Sequence, residues 1–341
     1  MRLTLAKTLA SLAVAAALIG GATACGEKSE SLAGGTRVDN FDLTLDWFTN
    51  PDHVAIIEAQ EQGYFRDVGL QVNRHVPSDP AAPIKQVAAG RTDLAISYEP
   101  EVFLAREQGL PVVAVAALVQ RPLTSLMAIG KKNIHSPRDL AGKRVGTAGI
   151  PYQSAYLRTI LERANVKPSS VKETNISTSL LPAMLSGRVD ATLGAFWNVE
   201  GVELRLRGKK PTVIPVDRLG VPNYDELVLV ANANEIDKRR DDLRLFIGAV
   251  AKGAREARKD PRRAAALLLR ANKDLKPKLT RESVRVTLPA LFPENGAKPW
   301  GYLDPAKWRA YGAWMFGHGL LKERPDVSTA LTDDLLPGEG L

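Results

Sequence analysis

From residue 41 onward, short apolar runs alternate with longer stretches of helical periodicity. Leu43 and Leu45 alternate with Asp42 and Thr44, which predicts a strand over 41–46. Asn50 followed by Pro51 reads as an amide cap with proline in the first turn, so a helix is predicted over 51–62, stopping at Gly63. The rhythm continues through strand 70–76, helix 82–89 ending at Gly90, strand 93–97 and helix 99–107. Val112 to Val119 is a near-continuous apolar run, the pattern of a parallel strand covered on both faces. Strand, helix, strand, helix is the signature of an α/β layer with right-handed crossovers.

Around Pro122 to Met127 the register changes and a second α/β unit begins. It comprises a short capped helix at Ser136 to Leu140, strand 143–147, a Gly149-Ile150-Pro151 turn into helix 152–164, and strand 171–176. Helix 178–186, strand 190–195, a helix from about Phe196 to Arg207, and strand 212–215 complete it. Tyr224 to Ala231 can return the chain to the first sheet. Beyond it the pattern is helical, with two amphipathic helices in 240–271 broken near Pro261 and another over 304–321. One α/β unit interrupted by another, with crossings near 122–128 and 222–230, is the arrangement of a type II periplasmic binding protein: two α/β lobes joined by two crossings. The expected division is a leader at 1–24, a tether at 25–40, lobe 1 at 41–124 and 224–341, and lobe 2 at 125–223.

The start of the chain alters where this fold is expected to work. Arg2 and Lys7 precede an apolar segment, Leu9 to Ile19, too short to span a bilayer, and together they read as a signal peptide. Ala22-Thr23-Ala24 then precedes Cys25, the single cysteine of the 341-residue chain. Its position resembles a bacterial lipobox, with Ala22 in place of the usual Leu. The same Ala-x-Ala fits ordinary signal cleavage and simple secretion. A polar Gly/Ser-rich tether follows, which suits a lipid-anchored domain outside the cytoplasm. The net charge is +8, of which the leader's Arg2 and Lys7 supply two. Basic residues are scattered and not interleaved with aromatics, which argues against a nucleic-acid surface.

Chemistry-bearing templates are missing. No dinucleotide glycine fingerprint, phosphate loop, nucleophile elbow or His-Glu-x-x-His occurs, and the four histidines (His53, His75, His135, His318) lack metal spacing. No cofactor is implied. What stands out is a set of residues at strand C-termini: Trp47 and Asn50, Tyr98 and Glu99, Gly149, and then Phe196, Trp197, Asn198 and Glu200. In an open α/β sheet these positions face the crevice at the carboxyl edge. A helix over 196–207 would put Phe196 and Glu200 on one face at i, i+4. Aromatic faces with one carboxylate and one amide suit a flat, hydrogen-bonding heterocycle. Core packing is the competing account of Trp47, Phe196 and Trp197, and capping that of Asn50. Asp52 and His53 read as cap and rim.

Asp46-Trp47-Phe48-Thr49-Asn50-Pro51-Asp52-His53 with Glu61-Gln62-Gly63-Tyr64-Phe65 resembles the signature of bacterial binding proteins related to yeast thiamine-pyrimidine synthase. Further matches are Asp93 to Tyr98, Val115 to Leu123, Gly149 to Pro151, Ser186 to Ala191 and Tyr224 to Val228. The ThiY-type pyrimidine-precursor binding proteins of ABC importers belong to this group. The resemblance implies a lipid-anchored solute-binding protein that works with permease and ATPase subunits and binds a thiamine-related aminopyrimidine. It implies that Trp47, Asn50 and Tyr98 line the first lobe's pocket and that Glu200 reads the aminopyrimidine. Phe196 stands where such proteins carry Tyr. The yeast-type synthases use a cysteine-rich iron-binding segment, for which this chain has no cysteine to spare. Riboflavin or another small solute in the same fold, and an exported pyrimidine-processing enzyme, are the rival readings.

Overall fold

The structure is a computed structural model and describes residues 38–293, 296 and 298–338. The leader, Cys25 and the tether up to residue 37 lie outside those residues. The chain opens with β1 (Asp39–Thr44), a 3-10 turn (Pro51–His53), α1 (Val54–Glu61), α2 (Tyr64–Asp67), β2 (Leu70–His75) and α3 (Pro83–Ala88). Then come β3 (Leu94–Ser97), α4 (Glu99–Glu107), β4 (Val112–Val119), β5 (Thr124–Ala128), β6 (Arg144–Thr147), α5 (Pro151–Arg163), β7 (Lys172–Asn175) and α6 (Leu180–Ser186). The remainder is β8 (Ala191–Phe196), α7 (Glu200–Leu206), β9 (Thr212–Pro215), β10 (Leu227–Asn232), α8 (Arg240–Lys259), α9 (Pro261–Ala271), α10 (Pro277–Thr287) and α11 (Pro305–Gly317).

Among the described residues two five-stranded sheets result, ordered β2-β1-β3-β10-β4 and β7-β6-β8-β5-β9. The strands joined by helical crossovers pair in parallel: β1 with β2 and β3, and β6 with β7 and β8. The fourth strand of each sheet runs the other way. β10 is antiparallel to both β3 and β4, and β5 to both β8 and β9. The expectation of parallel pairing for β4 is therefore corrected. Its side chains are buried on both faces as the apolar run requires, but its neighbour arrives from the far side of the second lobe. The outer edge of β4 is covered by the C-terminal segment, where Ala114 donates to Ala330 O at 2.9 Å and Thr332 donates to Ala114 O at 2.9 Å.

Apolar positions at helical spacing explain the outer layer. α1 lies against α8, whose Phe246 stacks on Phe41 of β1 at 4.8 Å and on Phe65 of α2 at 5.0 Å. α10 falls in the stretch expected to be helical, and its β-branched residues Thr280, Val284 and Thr287, at i, i+4 and i+7, are buried on one face.

The two crossings are bolted together by one carboxyl group. Glu226, just before β10, accepts from the Leu123 and Thr124 backbone N–H groups at 2.6 and 2.8 Å, and from the Thr124 hydroxyl at 2.8 Å. Tyr224 adds a fourth donor at 3.0 Å. Leu123 and Thr124 begin the first crossing's exit into β5, so a single side chain of the second crossing holds the first. Burial pushes the Glu226 carboxyl up to about 7 despite these four donors.

Candidate functional site

β1 ends at Thr44, and the backbone turns through Asp46 to Asn50 before Pro51 starts the next helical turn. The turn is over-determined. Asn50 Oδ1 accepts from Asp52 N at 2.7 Å, its Nδ2 donates to Phe48 O at 3.1 Å, and its own N–H donates to His53 Nδ1 at 3.2 Å. Because a backbone N–H occupies Nδ1, the His53 proton sits on Nε2, which donates to Asp46 Oδ1 at 2.8 Å. Asp46 Oδ2 accepts from the Tyr98 hydroxyl at 3.2 Å, tying the end of β1 to the end of β3. Asp52 and His53 are fully buried, so their expected place at the rim is corrected. They build the turn from beneath, because both side chains find polar partners inside.

The second lobe contributes a matching turn. β8 runs one residue further than the pattern suggests, ending at Phe196, and α7 starts only at Glu200. The expected shared helix face for Phe196 and Glu200 is therefore corrected: a strand end and a helix start face each other across a tight turn. Glu200 Oε2 accepts from the Phe196 N–H at 2.8 Å, which fixes the carboxyl at the end of β8. Burial pushes this carboxyl up to about 7, opposed by the backbone N–H of Phe196. Gly194 makes the geometry possible. It is the extra residue where β8 bulges against Ser125 and Leu126, with φ of +119°. A side chain there would collide with Gln153, whose Oε1 accepts from Ala148 N at 2.7 Å.

A cavity of about 160 Å³ lies between these turns. The first lobe lines it with Asp46, Trp47, Phe48, Asn50 and Tyr98. The second lines it with Ala148, Ile150, Tyr152, Gln153, Leu180, Gly194, Phe196, Val199 and Glu200. Trp47 and Phe48 meet edge to face at 6.1 Å, and Phe48 is 53% exposed at the mouth. Tyr98 and Tyr152 approach from opposite lobes at 5.7 Å. The Tyr152 hydroxyl is buried and makes no hydrogen bond, although the Thr124 and Gln153 side chains lie near it. No Lys, Arg or His lines the cavity among the described residues.

Five of the seven anticipated residues thus meet at one cavity: Trp47, Asn50, Tyr98, Phe196 and Glu200. Two do not line it. The Trp197 indole turns away and donates to Pro122 O at 3.0 Å, where it braces the first crossing. Gly149 has φ of +82° and packs against the Asn175 side chain, leaving the cavity wall to its neighbours Ala148 and Ile150. No sequence signal points to Asp46, Tyr152 and Gln153 at the cavity: Tyr152 and Gln153 occupy the first turn of α5, where the pattern marks a helix start and nothing more.

Residues 50–264 match the family model described as NMT1/THI5 like. A formylaminopyrimidine-binding protein of Halalkalibacterium halodurans is 34% identical over 304 residues, covering 87% of this chain and 91% of the relative. A Haemophilus influenzae protein named for thiamine biosynthesis is 40% identical over 202 residues, 59% of this chain and 64% of the relative. This chain therefore spans slightly under two thirds of that second relative's length. Among solved structures, the alkanesulfonate-binding protein SsuA of Xanthomonas axonopodis pv. citri superposes with a TM-score of 0.66 at 15% identity, covering 86% of this chain and 98% of SsuA. At that identity the likeness concerns the fold, and both chains have the periplasmic binding protein architecture.

Proposed function

The chain belongs to the NMT1/THI5-like family, and from that premise we propose that it is the solute-binding protein of an ABC importer for a single-ring aminopyrimidine related to thiamine. The cavity carries this reading. At about 160 Å³ it is the size of a cavity of roughly 150 Å³ that takes up one benzene ring. One pyrimidine with short substituents matches that volume. Sulfonate or nitrate would call for cationic donors, whereas the ionisable carboxyls of this wall are Asp46 and Glu200. Trp47, Tyr98, Tyr152 and Phe196 offer ring faces. A Glu200 carboxyl near 7 can present a proton to a ring nitrogen or an oxygen to an exocyclic amine.

On this reading the solute is released unchanged, the two lobes close around it by bending at the crossings, and the closed form docks on permease and ATPase subunits. Cys25 carries a lipid that holds the lobes on the outer face of the membrane. The name of the Halalkalibacterium relative supports the ligand class, and the shared fold supports the transport role. Titration calorimetry tests the proposal with 4-amino-5-hydroxymethyl-2-methylpyrimidine and its formylamino analogue against riboflavin and an alkanesulfonate. Saturable heat from a pyrimidine, recovered unconverted by chromatography, is the expected result. Heat from riboflavin or sulfonate alone refutes the ligand, and conversion of the pyrimidine refutes simple binding. Loss of Cys25→Ser protein from the membrane fraction checks the anchor.

A further inference from the structure

Behind the cavity, and outside its wall, the two pocket turns touch each other directly. Asp52, in the 3-10 turn of the first lobe, is fully buried, and its Oδ1 accepts from Asn198 Nδ2 at 2.5 Å. Asn198 belongs to the second lobe's turn, between Phe196 and Glu200, and is also fully buried. Its Nδ2 donates as well to Thr287 Oγ1 of α10 at 2.6 Å. Two polar atoms are left over. Asp52 Oδ2 and Asn198 Oδ1 are both buried without a hydrogen-bond partner. Both leftover atoms are acceptors while Asp52 is ionised, and a buried polar atom without a partner is costly. A proton on Asp52 Oδ2 resolves both at once, since a carboxylic acid and a primary amide can exchange two hydrogen bonds in a ring.

We propose that Asp52 and Asn198 are positioning residues, an acid–amide latch that joins the two lobes behind the cavity and sets the balance between open and closed forms before any solute arrives. The latch acts through the turns that hold Asn50 on one side and Glu200 on the other, so it tunes affinity without touching the ligand. It concerns closure itself and stands whichever solute fills the cavity.

The surroundings select the acid form. Burial, and then the charges of Asp46, Glu200 and Glu226, hold the Asp52 carboxyl well above the usual carboxylate range, opposed by the Asn198 amide. Asp46 comes from the turn after β1, Glu200 from α7 and Glu226 from the second crossing, while α10 presents the uncharged Thr287. Parting the lobes returns Asp52 to water and removes that bias. Closure therefore takes up a proton, and the latch weakens as pH rises.

Small-angle scattering of the unliganded protein between pH 5.5 and 8.5 tests this. The wild type is expected to expand as pH rises. Asn198→Ala is expected to be expanded throughout, its ratio of closed to open forms lowered about tenfold or more by loss of the bonds to Asp52 and Thr287. Asp52→Asn keeps an amide–amide pair and cannot titrate, so it is expected to stay compact with a flat pH profile. An Asn198→Ala protein that melts cooperatively yet matches the wild type in size and pH profile overturns the latch. An Asp52→Asn protein that is expanded, or keeps the wild-type pH dependence, does so too, the latter by shifting the titration to Glu200 or Glu226. If Asn198→Ala does not fold, the Asp52→Asn profile decides alone.

Discussion

Replacing Glu226 by Gln should make this protein more stable at pH 8, although it removes the charge from a side chain with four hydrogen-bond donors. The buried Glu226 carboxyl titrates at about 7 in the folded chain, against 4.5 for an ordinary glutamate. Between those values the folded state holds a proton that the unfolded chain releases. Its contribution to stability is therefore complete below pH 4.5 and is lost as pH rises through 7. A gap of that size corresponds to about 3 kcal/mol. Gln keeps an acceptor oxygen for the Leu123 and Thr124 N–H groups and the Tyr224 hydroxyl, and its amide can donate to a rotated Thr124 hydroxyl.

At pH 5 the protonated glutamate and the glutamine are thus near-equivalent, and the two proteins should melt within about 1 kcal/mol of each other. At pH 8 the variant escapes the burial of a charge and should melt higher, by about 5 °C for a chain of this size. Glu101, Glu200 and Asp225 are also pushed up to about 7 by burial. They cancel in the comparison and make the wild type lose stability over the same window. Calorimetric melting of both proteins at pH 5, 6, 7 and 8 measures the effect. A variant that melts lower at every pH, by a constant margin, would refute the reasoning: the ionised clamp would then outweigh the burial of its charge.

Other residues give shorter tests. Trp47→Ala removes a stacking face worth about 1–3 kcal/mol and should weaken pyrimidine binding ten- to a hundredfold by calorimetry, and because the indole also packs against the core the variant should melt lower while still unfolding cooperatively. Tyr152→Phe deletes a buried hydroxyl that has no partner, so the empty protein should be as stable or slightly more so. Its affinity should nevertheless fall about tenfold if the solute is that hydroxyl's missing partner. Trp308→Phe breaks the 2.8 Å bond from its indole to Asp225 Oδ2. With Glu99 Oε2 holding the Asp225 N–H at 2.7 Å in the same buried cluster, the loss should reach about 2 kcal/mol in urea denaturation.

The two-lobe plan was legible because most of the buried strands, β1, β3, β6 and β8 among them, are short apolar runs closed by a helix start, a signal that spans under ten residues. For the same reason Trp47, Asn50 and Tyr98 could be placed at strand ends without knowing what faced them. Direction was not legible. The apolar pattern of Val112 to Val119 is the same whether its neighbour runs parallel or antiparallel, and only the return of β10 after a whole second lobe decides it. Phe196 failed in the opposite way: one more strand residue and a bulge at Gly194 turned an expected helix face into a turn. Polar residues were hardest. Asp52 looks like any acid in a first helical turn, and Asn198 like any amide after an aromatic pair. They stand 146 positions apart and meet only when both lobes are built. A buried polar side chain takes its meaning from its partner, and no periodicity reports partners. Apolar pattern thus predicts the walls of such a cleft, while the groups that hold its two sides together emerge only from the assembled chain. Asp52 and Glu226 are of that second kind, each reaching across a boundary between elements far apart in sequence.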